Sequence, residues 1–184
     1  AVMGGVKPVI LPAFAAEVRR ARHAGEAFAT AAVRLCGVAW PFFLFMAVFA
    51  EPIVVVLFGP DWVAIVPLVR VLAVGGLAAP LVGLAADLLA ALGKVRIALR
   101  ATLLATALKV AVVAVLVAAR YPLDVVVTGF VACGFAEAAL FLRCALDEAR
   151  GRPGSLLRAL WPTAVLSAAT VLGAAPALSL AASA

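Results

Sequence analysis

IALRATLLATALKVAVVAVLVAA, residues 97–119, carries Arg100 and Lys109, two threonines, and otherwise only apolar side chains. At ~1.5 Å per residue it outspans a hydrocarbon core of roughly 30 Å. Gly93-Lys94-Val95-Arg96 precedes it and Arg120-Tyr121-Pro122-Leu123-Asp124 follows it. Glycine and proline punctuate both flanks as turns. The length and the alanine–leucine content read as helix rather than strand. The stretch therefore predicts a membrane-crossing helix with a basic connection at one end and a tight turn at the other.

The same pattern repeats on both sides. Apolar spans are expected at about 27–50, 63–92, 125–146 and 155–180, with 1–16 as the tail of a preceding span. Arg19, Arg20 and Arg22 precede the first full span. Lys94, Arg96 and Arg100 separate the second from the third, and Arg143, Arg150, Arg152 and Arg158 the fourth from the fifth. The intervening connections hold mainly Asp61 on one side and Arg120 with Asp124 on the other. Basic loops at every second connection are the positive-inside signature. They predict loops 17–26, 93–100 and 147–158 on the cytoplasmic side of a bacterial inner membrane. The expected fold is all-α: a multi-pass transmembrane bundle of about five full spans, forming one transmembrane domain over 1–184.

Composition agrees. The chain is 67% hydrophobic and 13% charged, where a soluble domain is nearer half apolar and a quarter charged. Its mean hydropathy is +1.24. Lys and Arg outnumber Asp and Glu by 15 to 9, but the cations sit at span ends, without the aromatic-interleaved basic face that nucleic acid needs. No nucleic acid partner is expected; anionic lipid headgroups are. Cys36, Cys133 and Cys144 lack metal-ligand spacing and read as small packing residues. Both chain ends are apolar and read as cut from a longer polytopic protein.

Prolines interrupt the spans at Pro41, Pro67, Pro80, Pro162 and Pro176. Pro41, Pro67 and Pro80 are expected to kink their helices, because proline removes a backbone donor and crowds the preceding turn. Gly59-Pro60-Asp61-Trp62 reads as a turn at the membrane interface.

Two stripes of small residues stand out. Gly75, Ala79, Gly83 and Asp87 recur at steps of four, as do Gly129, Cys133 and Glu137. Residues so spaced share a helix face, where small side chains let another helix approach. Each stripe faces either a moving interface or cavity, with its carboxylate at the inner end, or a statically packed neighbour.

Ionisable groups at bilayer depth are costly and face a cavity or a partner. Lys109 and Glu137 both lie nearly 20 Å from their span starts at ~1.5 Å per residue. Their helices are expected to be antiparallel neighbours, so the two can pair, as a packing element or in coupling. Arg34, Arg70 and Arg100 are shallower. With Lys109 they either contribute cationic surface for an anionic substrate, since the guanidinium fork matches phosphate, or snorkel to the interfaces.

Catalysis is not expected. His23 is the only histidine and lies in the Arg-rich connection. Paired carboxylates for a metal–diphosphate site, a Gly-rich phosphate loop and a nucleophile elbow are all missing from the sequence. Ser155 and Ser167 have no base nearby in sequence. Neither a metal nor another cofactor is expected.

Glu51-Pro-Ile-Val-Val-Val-Leu-Phe-Gly-Pro-Asp-Trp62, then Pro67-Leu-Val-Arg-Val-Leu72 and Leu89-Leu-Ala-Ala-Leu-Gly-Lys94, resembles the polysaccharide flippases. These are the Wzx-like O-unit translocases of the multidrug/oligosaccharidyl-lipid/polysaccharide exporter superfamily. Members show a proline-bearing span, an apolar run ending in Leu-Phe-Gly, an outer turn with tryptophan, and a span closing on Ala-x-Gly-Lys/Arg. Pro41, Leu57-Phe58-Gly59, Trp62 and Leu92-Gly93-Lys94 occupy those places in order. The resemblance implies most of the second lobe of a two-lobe carrier, lacking the first lobe and the last helix. It implies export of an undecaprenyl-diphosphate-linked oligosaccharide for polysaccharide or lipopolysaccharide biosynthesis by alternating access. Polymerase or export machinery would be partners. A cation-coupled multidrug exporter of the same fold, and a membrane-embedded glycosyltransferase or polymerase subunit, are the alternatives. Acidic cavity residues would mark the first and a catalytic loop the second.

Overall fold

The computed structural model describes residues 24–149 and 153–181. The 1–16 tail, Arg19, Arg20, Arg22, His23, Arg150 and Arg152 lie outside the described residues. Within them run α1 (Ala24–Val48), α2 (Ala50–Phe58), a 3-10 helix (Pro60–Ile65), α3 (Val66–Gly76), α4 (Ala79–Ala91), α5 (Val95–Ala118), α6 (Leu123–Glu148) and α7 (Pro153–Ala181). No strand occurs among the described residues. Among the described residues four stretches are long and apolar enough to cross a membrane: Gly25–Val48, Pro60–Ala91, Val95–Ala118 and Leu123–Glu148. The protein is an all-α, multi-pass helical bundle. The basic connections are shorter than expected: Arg96 and Arg100 belong to α5, and only residues 149–152 separate α6 from α7.

The expected second span is in three pieces. Pro67 and Pro80 do not kink a helix interior; each sits in the first turn of a new helix, α3 and α4. There a missing N–H costs nothing, because first-turn donors have no intrahelical partner. Pro41, by contrast, lies inside a continuous α1. The interruptions expected at Pro162 and Pro176 are also not seen, since α7 runs unbroken past both. One proline deletes a single backbone bond, and the bonds on either side carry the helix through.

The break between α3 and α4 is held by α1. The Leu81 N–H turns to the Ala78 carbonyl at 3.2 Å, and the Leu77 carbonyl instead accepts the Trp40 indole N–H at 3.0 Å. One residue earlier, a Cβ on Gly76 would lie 2.3 Å from the Phe43 ring. Only glycine lets α1 approach this closely.

The broken span is sandwiched. α1 packs on α7, α3 and α4; α6 packs on α3, α4 and α5. The main core gathers Phe28 and Cys36 of α1, Leu88 and Leu89 of α4, Ala101 of α5, Phe141 and Ala145 of α6, and Leu156 of α7. These residues flank the start of α1, the α4–α5 connection and the α6–α7 connection. The start of α1, the α4–α5 connection and the adjoining ends of α6 and α7 therefore lie at one end of the bundle, the basic end, where Lys94 also pairs with Glu148 at 3.0 Å.

At the opposite end the core is small: Ala50, Val54 and Val66. α2 and the 3-10 helix form a hook there. Gly59, at its bend, has φ 93° and ψ 170°, a conformation open essentially to glycine alone. The two hairpin turns between spans share one closing geometry. Gly93 and Arg120 each follow a helix with positive φ, 74° and 55°, while the next N–H reaches back to the Leu89 or Leu116 carbonyl. This caps the helix by satisfying a terminal carbonyl.

Hydroxyls inside the spans bond to their own helices. Ser167 Oγ donates to the Thr163 carbonyl at 2.7 Å, and Thr102 and Thr128 do the same four residues back. That is the usual solution for a hydroxyl in an apolar helix.

Candidate functional site

The α5–α6 seam brings together the two deep charges. Lys109 is 14 residues from the start of α5 and Glu137 is 14 from the start of α6, about 21 Å in each case. In antiparallel neighbours these two Cα positions do not fall level. The side chains close the gap, because each Cα–Cβ bond tilts toward its own helix N-terminus. Lys109 thus leans toward the basic end and Glu137 away from it. Lys109 Nζ bonds to Glu137 Oε2. The side chains are 23% and 15% exposed, respectively. Phe130, two turns before Glu137 on the same helix face, lies with its ring centroid 5.5 Å from Nζ. The ammonium is therefore held by a carboxylate and by the negative face of a ring. No buried side-chain nitrogen or oxygen among the described residues lacks a partner.

The Gly129–Cys133–Glu137 stripe faces α5. A Cβ on Gly129 would lie 2.7 Å from Leu116 Cδ1 of α5, and Glu137 pairs with Lys109 of the same helix. This stripe is a packed seam. The second stripe divides. A Cβ on Gly75 would meet Val131 of α6 at 2.8 Å, whereas Ala79 and Gly83 are exposed and Asp87 is half-buried and engaged in an interaction.

The arginines are not joined to the pair by any contact among the described residues. Arg34 stands exposed on α1 and Arg100 exposed on α5, one turn from its start. Arg70, in the first turns of α3, faces Glu51 of α2 at 3.7 Å, both exposed. Sequence reading did not anticipate this pair or Lys94–Glu148. Neither falls at a helical spacing, and both depend on how separate helices end beside one another.

Residues 1–67 match the model of a family described as polysaccharide biosynthesis protein. That N-terminal third of the chain is similar to this family. Neither a curated protein nor a solved structure matches it. Within the described residues the family match covers α1, α2, the 3-10 helix and the first residues of α3. It therefore includes Arg34, Pro41, Glu51, the Leu57-Phe58-Gly59 turn and Trp62. Arg70, Arg100, Lys109 and Glu137 lie beyond it. The match and the apolar helices together support a membrane protein with a general role in polysaccharide biosynthesis or transport.

Proposed function

We propose that this protein is a lobe of a flippase that moves an undecaprenyl-diphosphate-linked oligosaccharide across the bacterial inner membrane by alternating access. The carrying observation is the family match over residues 1–67, which falls on the segment holding the proline-bearing α1 and the Leu57-Phe58-Gly59 turn. In this reading the basic end is cytoplasmic, where a lipid diphosphate made inside the cell arrives. Lys94, Arg96, Arg100 and Arg158, all exposed, then attract the anionic headgroup. Arg34 and Arg100 make no ion pair with a described residue and are the cations suited to hold the diphosphate. Arg70 is engaged with Glu51 and Lys109 with Glu137, so each would have to exchange its carboxylate for phosphate during the cycle. Glu137 would then carry the coupling charge. The protein performs no covalent chemistry in this reading. The polyprenyl tail stays in lipid, and polymerase or export machinery takes the product.

Deletion of the full-length gene is expected to accumulate lipid-linked oligosaccharide on the inner leaflet, measured by accessibility of the glycan in intact and permeabilised spheroplasts. Unchanged export sinks the assignment. Within it, Arg34→Ala and Arg100→Ala are each expected to slow export. Normal export in the double variant removes these two arginines from the substrate site.

A further inference from the structure

The hook formed by α2 and the 3-10 helix is apolar on its outside. Val56 is 82% exposed, Leu57 68%, Phe58 60% and Trp62 52%. The 3-10 helix contributes no buried residue. Side chains of this kind do not stand in water without a cover. We propose that the hook is an interfacial anchor, seated in the headgroup layer of the leaflet opposite the basic end.

Length supports this. α1 has 25 residues, about 37 Å, which already exceeds a hydrocarbon core of roughly 30 Å. The Phe49 N–H to Phe45 carbonyl and Ile53 N–H to Phe49 carbonyl bonds run α2 on from α1, and its nine residues add roughly 13 Å of helix. The α5–α6 hairpin starts from the same end, and its 24-residue α5 reaches only about 36 Å. The hook therefore extends past the other hairpin, to the depth where a bilayer of about 40–45 Å has its second headgroup layer. A tilt of about 20° shortens that reach by only a few ångströms.

Chemistry supports it as well. Exposed apolar side chains occur on α1 as well, at Phe42, Phe45 and Val48, so the span before the hook also presents apolar surface. The charges fit the level. Glu51 and Arg70 pair at the base of the hook at 3.7 Å, at the edge of the hydrocarbon, and Asp61 sits at the bend next to Pro60. Phe58 and Trp62 lie beside one another, ring centroids 6.0 Å apart. An aromatic pair at the polar–apolar boundary is the usual interfacial anchor, because the ring is apolar and the indole N–H finds a polar partner. The occupant is lipid headgroup and upper acyl chain. The anchor rests on the membrane assignment alone and holds whatever the protein carries.

The test uses full-length protein in phosphatidylethanolamine–phosphatidylglycerol vesicles, with nitroxides at Val56→Cys and, as a mid-span reference, Val38→Cys in a cysteine-replaced background. The expected result is oxygen accessibility at 56 well above that of a water-soluble nickel chelate, with a depth between Val38 and bulk water. Chelate-dominated accessibility would place the hook in water and overturn the proposal. Shielding from both agents would place it under protein and overturn it equally. Should the labelled background not fold, lipid-bromine quenching is compared between the unlabelled protein and Trp62→Phe. The Trp62 contribution is expected to be quenched most by bromines high on the acyl chain. A contribution that bromolipids leave untouched counts against the anchor.

Discussion

The two ends of the bundle are held together by different means. At the basic end, side chains from α1, α4, α5, α6 and α7 share one continuous core. Away from that core, among the described residues, Ala50, Val54 and Val66 form a second and smaller cluster, and discrete contacts take over. Trp40 holds the Leu77 carbonyl, Gly76 admits Phe43, Lys109 holds Glu137, and Arg70 faces Glu51. α5 shows the contrast within one helix. Its buried residues, Ala101 and Ala105, lie in its basic-end half. Beyond them it meets α6 through the ion pair and through Leu116 over Gly129. In lipid there is no hydrophobic force between helices, so close packing and polar contacts must do the joining. An end with many interlocked side chains is rigid; an end with a few separable contacts has fewer bonds to exchange when the helices move.

The largest effect expected is at the ion pair. Glu137→Leu leaves the Lys109 ammonium unpaired at bilayer depth and is expected to destabilise by about 3 kcal/mol. Lys109→Met combined with Glu137→Leu removes both charges and should recover most of that loss. Unfolding of the purified protein in mixed micelles measures both. A single variant no worse than the double would show that the pair does not hold the seam.

Next is the contrast between the two cores. Phe141→Ala opens a cavity on the order of 100 Å³ in the basic-end core and is expected to cost about 3 kcal/mol. Val54→Ala, in the small core, is expected to cost about 1 kcal/mol. Equal losses in the same unfolding assay would erase the distinction between the ends.

The smallest effect has the opposite sign. Arg120 closes α5 in a left-handed conformation, φ 55°, that a Cβ disfavours by roughly 1–2 kcal/mol. Arg120→Gly is therefore expected to raise stability by up to about 1 kcal/mol, part of the relief being lost to the greater freedom of unfolded glycine. Gly93→Ala, at the equivalent turn, should lower it by a similar amount. A destabilising Arg120→Gly would mean that the arginine side chain contributes more than its backbone costs.

Much of the fold was legible because apolar length and basic punctuation are local properties. The stretch 97–119 alone implied a crossing helix, and α5 covers Val95–Ala118. The Gly129–Cys133–Glu137 spacing and the depths of Lys109 and Glu137 were likewise enough to suggest one shared seam. The breaks were less legible. Pro41, Pro67, Pro80, Pro162 and Pro176 are the same residue in similar apolar surroundings. Only the start of a new helix separates Pro67 and Pro80 from the others. The candidate cations were the least legible. Nothing near Arg70 in sequence predicts Glu51, because that contact depends on the fold of the hook between them.

The sequence by itself determined that this is a membrane bundle of long helices, which of its connections are basic, and which charges lie too deep to reach water. These follow from composition and from 1.5 Å per residue. Tertiary structure alone decided that the second span is broken at Leu77–Ala78 and held there by Trp40, and that the core is concentrated at the basic end. It also decided that Lys109 has a carboxylate and a ring for partners. The reason is physical. In an apolar chain nearly every residue can face lipid or another helix at similar cost, so only the few close approaches and polar contacts fix which helices meet.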